Sequence, residues 1–286
     1  MPGLKVRSLH VYPLKGARAV DLDSAEIDPR GVRGDRRLLA TDLEGRFLTQ
    51  RDCAALARIC ARWRTDGVRL QSDDLGDVFE APLPAGGDRR RVIVWSDSVD
   101  AVPFGPAADA WLSAALGRSS RLFCIAESAD RRTSARFAPA APIAFADAYP
   151  VLVTTAASLN ALNAEIERNG GAAVGMDRFR PNIVIDGADP WAEDLWATIT
   201  VGGLALDLVK PCDRCVVTTT DQMTGARRGK EPLASLARLR RSADDRVNGV
   251  LFGWNAIPRG VGALKTGDAV RVVAQRDERW PLLKPS

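Results

Sequence analysis

Histidine is almost missing from this chain of 286 residues: there is one, His10. A two-histidine zinc motif, a three-histidine site and a two-histidine facial triad are therefore excluded. A Ser-His-Asp or Cys-His enzyme would have to use His10. That residue lies in Lys5-Val6-Arg7-Ser8-Leu9-His10-Val11-Tyr12, an alternating apolar stretch that predicts a strand with a structural or outward-facing histidine. Lysine is also scarce. It stands only at 5, 15, 210, 230, 265 and 284, so 34 of the 40 basic residues are arginine, the fork-shaped donor suited to carboxylate and phosphate. The five cysteines (53, 60, 124, 212 and 215) are odd in number and irregular in spacing, which argues against a secreted disulfide framework. No uninterrupted apolar run of 18 residues is present, and Met1-Pro2-Gly3-Leu4-Lys5-Val6-Arg7 has no apolar leader core. The expectation is a cytoplasmic protein with no membrane partner. A net charge of +4 is too small to argue for a nucleic-acid partner.

What is present is an ordinary globular composition, 46% hydrophobic and 27% charged, long enough for about two domains. The first 100 residues read as short strands: Leu4 to Tyr12, a hairpin of 38–41 with 46–49, a second of 62–65 with 68–71 around Asp66-Gly67, and Val92 to Trp95. The period then changes. Trp111, Leu112, Ala115 and Leu116 share one face of a helix over 106–116, with Gly117 as its stop. Residues 127–147 are polar, then Ala/Pro-rich. They form the expected seam, with a boundary near residue 125 separating 1–125 from 126–286. Beyond it the pattern predicts a strand at 151–155, a helix carrying Leu159, Leu162 and Ile166, and a strand at 182–185. A hairpin of 198–201 with 204–209 follows, then a strand at 215–220, a helix at 231–241, and strands at 250–252 and 269–274. Many short strands with few helices predict a β-dominated α+β protein with barrel-like sheets.

Several motifs fail on spacing. Gly260-Val261-Gly262-Ala263-Leu264-Lys265-Thr266-Gly267 lacks the glycine that a phosphate loop needs before Lys-Thr, and reads as a polar turn before the last strand. The pairs Asp73-Asp74 and Asp244-Asp245 read as solvated loops. The segment Lys210-Pro211-Cys212-Asp213-Arg214-Cys215 differs, with a rare lysine and two of the five cysteines. Its Cys-x-x-Cys admits half a zinc site, a redox pair, one thiolate metal ligand with an incidental second cysteine, or two buried thiols. The expected strand after it weakens the redox reading, which wants a helix N-terminus. Arg214 and Lys210 would favour a thiolate electrostatically.

Two larger blocks accompany this segment: Met176-Asp177-Arg178-Phe179-Arg180-Pro181-Asn182-Ile183-Val184-Ile185-Asp186-Gly187 and Thr218-Thr219-Thr220-Asp221-Gln222-Met223-Thr224-Gly225. Together they resemble MOSC-domain proteins. Tyr12-Pro13-Leu14-Lys15-Gly16, Gly34-Asp35-Arg36-Arg37 and Phe47-Leu48-Thr49-Gln50-Arg51 resemble the β-barrel domain that precedes MOSC in the branch holding the amidoxime reducing components and bacterial reductases of N-hydroxylated bases. The resemblance implies a molybdenum–molybdopterin cofactor in a cleft between the halves, with Cys215 as metal ligand and Cys212 left to packing. It implies that Lys15, Gly16, Arg36, Arg180, Asn182, Asp213 and Arg214 line the cofactor. It implies reduction of N-hydroxylated small molecules with electrons from a separate donor protein of ferredoxin or flavoprotein type, since no cysteine spacing for a [2Fe–2S] cluster is present. Other readings are a sulfur carrier with a Cys215 persulfide and a non-catalytic cofactor-binding module. Two positions depart from the family. Gly16 stands where serine is frequent, and Trp254 stands where glutamine is usual, a change expected to reshape the substrate mouth.

Overall fold

The computed structural model describes residues 3–84 and 86–283. Strand accounts for 39% and helix for 17%, so the chain is β-dominated α+β, built of curled half-barrel sheets. The largest sheet has eight strands in the order Val270–Gln275, Trp196–Val201, Leu204–Arg214, Val250–Pro258, Val151–Thr155, Ile183–Asp186, Lys5–Val11 and Val20–Leu22. The first strand of the chain therefore lies antiparallel to Ile183–Asp186, with Leu9 opposite Ile183. A four-stranded sheet (Leu38–Thr41, Arg121–Ile125, Asp97–Pro103, Arg90–Val94) and two three-stranded sheets complete the molecule. One of these joins Gly262–Lys265 to Ser24–Asp28. The sheets thus run across position 125 in both directions, although that position does close the strand Arg121–Ile125.

The apolar alternation explains the main core. Val6, Leu9 and Val11 point inward with Val153, Ile183, Ile199, Leu206 and Trp254. Among the described residues three α-helices cover the sheets: α1 (Pro106–Leu116), α2 (Ala156–Arg168) and α3 (Leu233–Leu239). In α1, proline at the first position suits the fixed φ of a first turn, and Leu112 and Leu116 are buried as their spacing predicts. Thr155 caps α2 by accepting from the Ser158 N–H at 3.1 Å. Leu162 and Ile166 then pack against Phe179, Leu236 and Phe252. The Phe179 and Phe252 rings stack at 3.9 Å between centroids. Among the described residues, no helix is long and apolar enough to cross a membrane.

Some local expectations change. The stretch Cys215 to Thr220 is a 3₁₀ turn over Val216–Thr219, not a strand. The hydroxyls of Thr218 and Thr219 donate back to the Cys215 and Val216 carbonyls at 2.9 and 2.7 Å, and this local bonding overrides their strand propensity. The strand expected to end at Val209 continues to Arg214, with irregularities at Leu208/Lys210 and Pro211/Asp213 that accommodate a proline in a ladder. Residues 262–265 are a strand with Leu264 buried, so only the residues after them form the polar turn. Residues 46–49 make a single bridge to Thr41, flanked by the Asp42 N–H on the Arg46 carbonyl and the Leu48 N–H on the Ala40 carbonyl, while the Phe47 N–H bonds the Ile93 carbonyl on the other side. His10 sits at the sheet's side, between Asp21 (2.7 Å) and the Ser8 hydroxyl (2.9 Å), the structural role its pattern suggests.

Gly253 interrupts a long strand with φ +76°, and a Cβ there would lie 2.8 Å from the Val153 carbonyl oxygen. Gly253→Ala is expected to cost about 2–4 kcal/mol, from left-handed strain plus overpacking. Urea denaturation measures it, as a lower midpoint at unchanged slope.

Candidate active site

The bend after the first strand begins the site. Tyr12 is fully buried, its N–H bonds Asp35 at 2.8 Å, and its hydroxyl donates to the Pro181 carbonyl at 3.1 Å. Burial pushes that hydroxyl far up, against the pull of Arg180 and Arg36, so it stays a donor. Two guanidiniums rest on its ring, Arg36 at 4.3 Å and Arg180 at 4.4 Å from the centroid. Both residues hold left-handed backbones, with φ +47° and +56°, an uncommon state for non-glycine residues. Arg36 bonds Asp35 at 2.5 Å, Asn182 Oδ1 at 3.3 Å and the Arg180 carbonyl at 3.2 Å. Arg180 reaches the Ala17 carbonyl at 2.7 Å and Gln222 at 3.2 Å. Burial, and after it the Arg36 charge, bring Arg180 down to about 10. Asn182 is buried and ties the strands together, accepting from the Leu152 N–H at 3.0 Å and donating to the His10 carbonyl at 3.2 Å.

Lys15 follows two residues after Pro13. Its side chain is buried and its ammonium donates to the Phe145 carbonyl at 2.8 Å and to Asp147 at 2.5 Å. Asp147 also accepts from the Trp95 indole at 3.1 Å. Gly16 holds φ +85°, and its carbonyl accepts from Gln50 at 2.7 Å. Gln50 and Gln222 exchange amide hydrogen bonds at 2.9 and 3.0 Å, joining Gly16 to Arg180.

The opposite wall is the end of Leu204–Arg214. Lys210 pairs with Asp213. Arg214 donates to Cys212 Sγ at 2.8 Å and to the Phe179 carbonyl, while its buried Nε has no partner among the described residues. Of the two cations expected to favour a thiolate in this motif, Arg214 meets Cys212 and Lys210 is taken by Asp213, so Cys212 has a contact beyond packing. Cys215 is exposed and begins the 3₁₀ turn, its carbonyl accepting from the Thr218 N–H at 3.0 Å. Among the described residues no three His, Cys, Asp or Glu side chains converge on one point, so Cys215 is not a corner of a four-ligand cage.

All eight residues singled out in the sequence (Lys15, Gly16, Arg36, Arg180, Asn182, Asp213, Arg214 and Cys215) line one cleft of about 390 Å³, a size typical of cofactor sites. The cleft wall also holds residues that the sequence reading passed over: Asp147, Trp95, Arg178 and Asn255. Arg178 was inside a quoted motif, and it reaches the Thr219 carbonyl at 3.0 Å and Asp221 at 3.3 Å. Asp147 lay in the aperiodic seam, where the one available signal was the need of a buried lysine for a counter-charge. Trp254 is not at the mouth. It is 1% exposed, with its indole on Asp194 at 3.0 Å and Arg276 stacked on it at 3.9 Å. Strand alternation turns Trp254 into the core and leaves its neighbour Asn255 to the cleft.

Seven Lys and Arg side chains line the cleft against two Asp. That imbalance, the unpaired Arg214 donor and two cysteines, of which Cys215 is exposed, fit a large anionic group with a thiophilic centre. The residues present therefore suit a molybdenum–pterin with its phosphate.

The Lys15–Asp147 pair has a measurable pH signature. Burial, the larger effect, lowers the Lys15 pKa below its ordinary 10.5, and Asp147 opposes that. Asp147→Asn keeps the acceptor oxygen and removes the charge, so the folded pKa of Lys15 falls further. Between that value and 10.5 the unfolded chain binds more protons, and stability rises with pH. Asp147→Asn should therefore cost about 1 kcal/mol at pH 7, a modest figure because its side chain is 72% exposed and screened, and less at pH 10. Denaturation of both proteins at the two pH values checks this.

Residues 3–119 match the family model for the MOSC N-terminal beta barrel domain, and residues 140–271 match that for the MOSC domain. Mitochondrial amidoxime-reducing component 1 of Homo sapiens is 30% identical over 284 residues, covering 94% of this chain and 83% of that protein. Its Mus musculus counterpart is 31% identical over 285 residues, with 94% and 82% covered. Mitochondrial amidoxime reducing component 2 of Homo sapiens is 28% identical over 279 residues, with 93% and 82% covered. The chain belongs to the MOSC-domain proteins that carry an N-terminal MOSC β-barrel domain, the family of the amidoxime-reducing components.

Proposed function

We propose that this chain is a molybdenum-cofactor-dependent oxidoreductase that reduces N-hydroxylated compounds, such as amidoximes and hydroxylamino-purines, with electrons from a separate donor protein. The observation that carries the reading is the exposed Cys215 thiol in a cleft lined by seven cations. When bound, a molybdenum–pterin supplies the two-electron chemistry that cleaves an N–O bond.

The protein's part is binding and orientation. Cys215, as thiolate, would be the protein ligand to the metal, the soft donor that a sulfur-rich centre accepts. Arg36 and Arg180, fixed on Tyr12, would hold the anionic end through charge-assisted hydrogen bonds. Gly16 and Asn182 set the floor by backbone and amide contacts already satisfied within the protein. Lys15 donates to Asp147, and Asp213 holds Lys210. Arg214 brings Cys212 into the wall and retains one unpaired donor. The net reduction of an N-hydroxyl to N–H consumes two electrons and two protons and releases water, and the Cys215 thiol is exposed to solvent.

Protein made in a cofactor-competent host should carry about one molybdenum per chain and reduce benzamidoxime with an artificial donor. Cys215→Ala should lose activity beyond the roughly 100-fold upper range seen for residues that merely orient a ligand. Cys212→Ala should keep most activity. Metal-free protein from such a host, or an active Cys215→Ala, contradicts the reading. Equal losses in both variants point to a thiol pair instead. A persulfide on Cys215 in metal-free protein, found by intact mass, would favour a sulfur carrier.

A further inference from the structure

Arg36 lines the cleft described above, and the next residue, Arg37, lines a second cavity of about 450 Å³. The two cavities share no lining residue. The second is built on strands: Trp63 lies in Ile59–Arg64, Val102 in Asp97–Pro103, and Ile125 ends Arg121–Ile125. The loop that carries Arg37 is pinned as well, since the Ile125 N–H bonds the Arg37 carbonyl and the Phe145 N–H bonds that of Arg36, each at 2.9 Å.

Four arginines line this cavity against one aspartate and one glutamate. Asp28 is committed to Arg37, with both carboxylate oxygens 2.7 Å from Nη2. Arg37 is 8% exposed, and its Nε has no partner among the described residues. Arg30 has no carboxylate within ion-pair distance among the described residues; its Nη2 donates to the Glu127 and Ala129 carbonyls at 3.1 and 2.6 Å. Arg33 pairs with Glu26 at 2.6 Å, an exposed pair that solvent already weakens. Beside these cations stand an indole face and the buried side chains of Val102 and Ile125. Guanidinium forks from different positions suit the three terminal oxygens of a phosphate, and the apolar wall suits a ring.

We propose that this cavity is a second ligand site, for an aromatic phosphate monoester, with its phosphate on Arg30 and Arg33 near Arg37 and its ring against Trp63 and Val102. The site stands apart from the cofactor cleft and does not depend on how that cleft is read.

Calorimetric titration of the full chain with phenyl phosphate tests it. Because the main cleft is also cationic, the decisive event is the one that persists in Arg180→Gln. That event should weaken at least about tenfold in Arg30→Gln and in Arg33→Gln, the loss expected for one charge-assisted hydrogen bond. Inorganic phosphate, which lacks the ring, should bind the same site at least about tenfold more weakly. Arg33 is exposed and its recorded partner is surface Glu26, so Arg33→Gln keeps the test decisive even where Arg30→Gln fails to fold. Wild-type affinity in folded Arg33→Gln, or loss of all binding in Arg180→Gln, would overturn the proposal.

Discussion

Two guanidiniums on one tyrosine ring set the terms for the rest of the molecule. Like charges at Arg36 and Arg180 repel, and burial makes the repulsion stronger than it would be in water. Asp35, with help from Asp147, more than offsets it at Arg36, which is held above its ordinary value despite burial, but not at Arg180, which is brought down. The arrangement persists because each element around it is over-determined. Tyr12 is fixed by its bonds to Asp35 and to the Pro181 carbonyl, and both arginines are locked in left-handed backbones. Arg180 is further held by the Ala17 carbonyl and Gln222. A site that keeps uncompensated positive charge inside such a frame is prepared for an anion before the anion arrives.

The sheet topology supplies the frame. Tyr12 and Arg36 come from one end of the chain and Arg180 and Asn182 from the other. They meet because the strand Lys5–Val11 lies against Ile183–Asp186. The irregular end of Leu204–Arg214 then brings Cys212, Asp213 and Arg214 over the same space, and the 3₁₀ turn after it leaves the Cys215 thiol uncovered. Stability and function therefore rest on the same contacts. The Gln50–Gln222 amide pair shows this most plainly, since it links Gly16 to Arg180 while buried from solvent.

Much of this was legible in the residues. The strand at the N-terminus, the helix after Gly105 and the hairpin at Gly202-Gly203 follow from period and turn chemistry. The ordered motifs brought eight separated residues to one cleft. What stayed hidden depends on pairing across the chain. Asp147 has no periodic signature, and only the folded position of Lys15 gives it a task. Trp254 looked like a mouth residue because adjacency in sequence says nothing about which face of a strand a residue takes, and a one-residue difference inverts the answer. The threonines after Cys215 read as a strand by propensity, yet their hydroxyls find carbonyls three residues back. Arg214 stands between two cysteines in sequence, and only the folded structure shows that its guanidinium donates to Cys212.

The central claim is that Cys215 is the protein's ligand to molybdenum. X-ray absorption at the molybdenum edge, on wild type and Cys215→Ala purified from the same cofactor-competent host, addresses it without relying on turnover. The account predicts one molybdenum–sulfur bond fewer in the variant, with the pterin sulfurs retained. An unchanged sulfur shell in metal-loaded Cys215→Ala would contradict it.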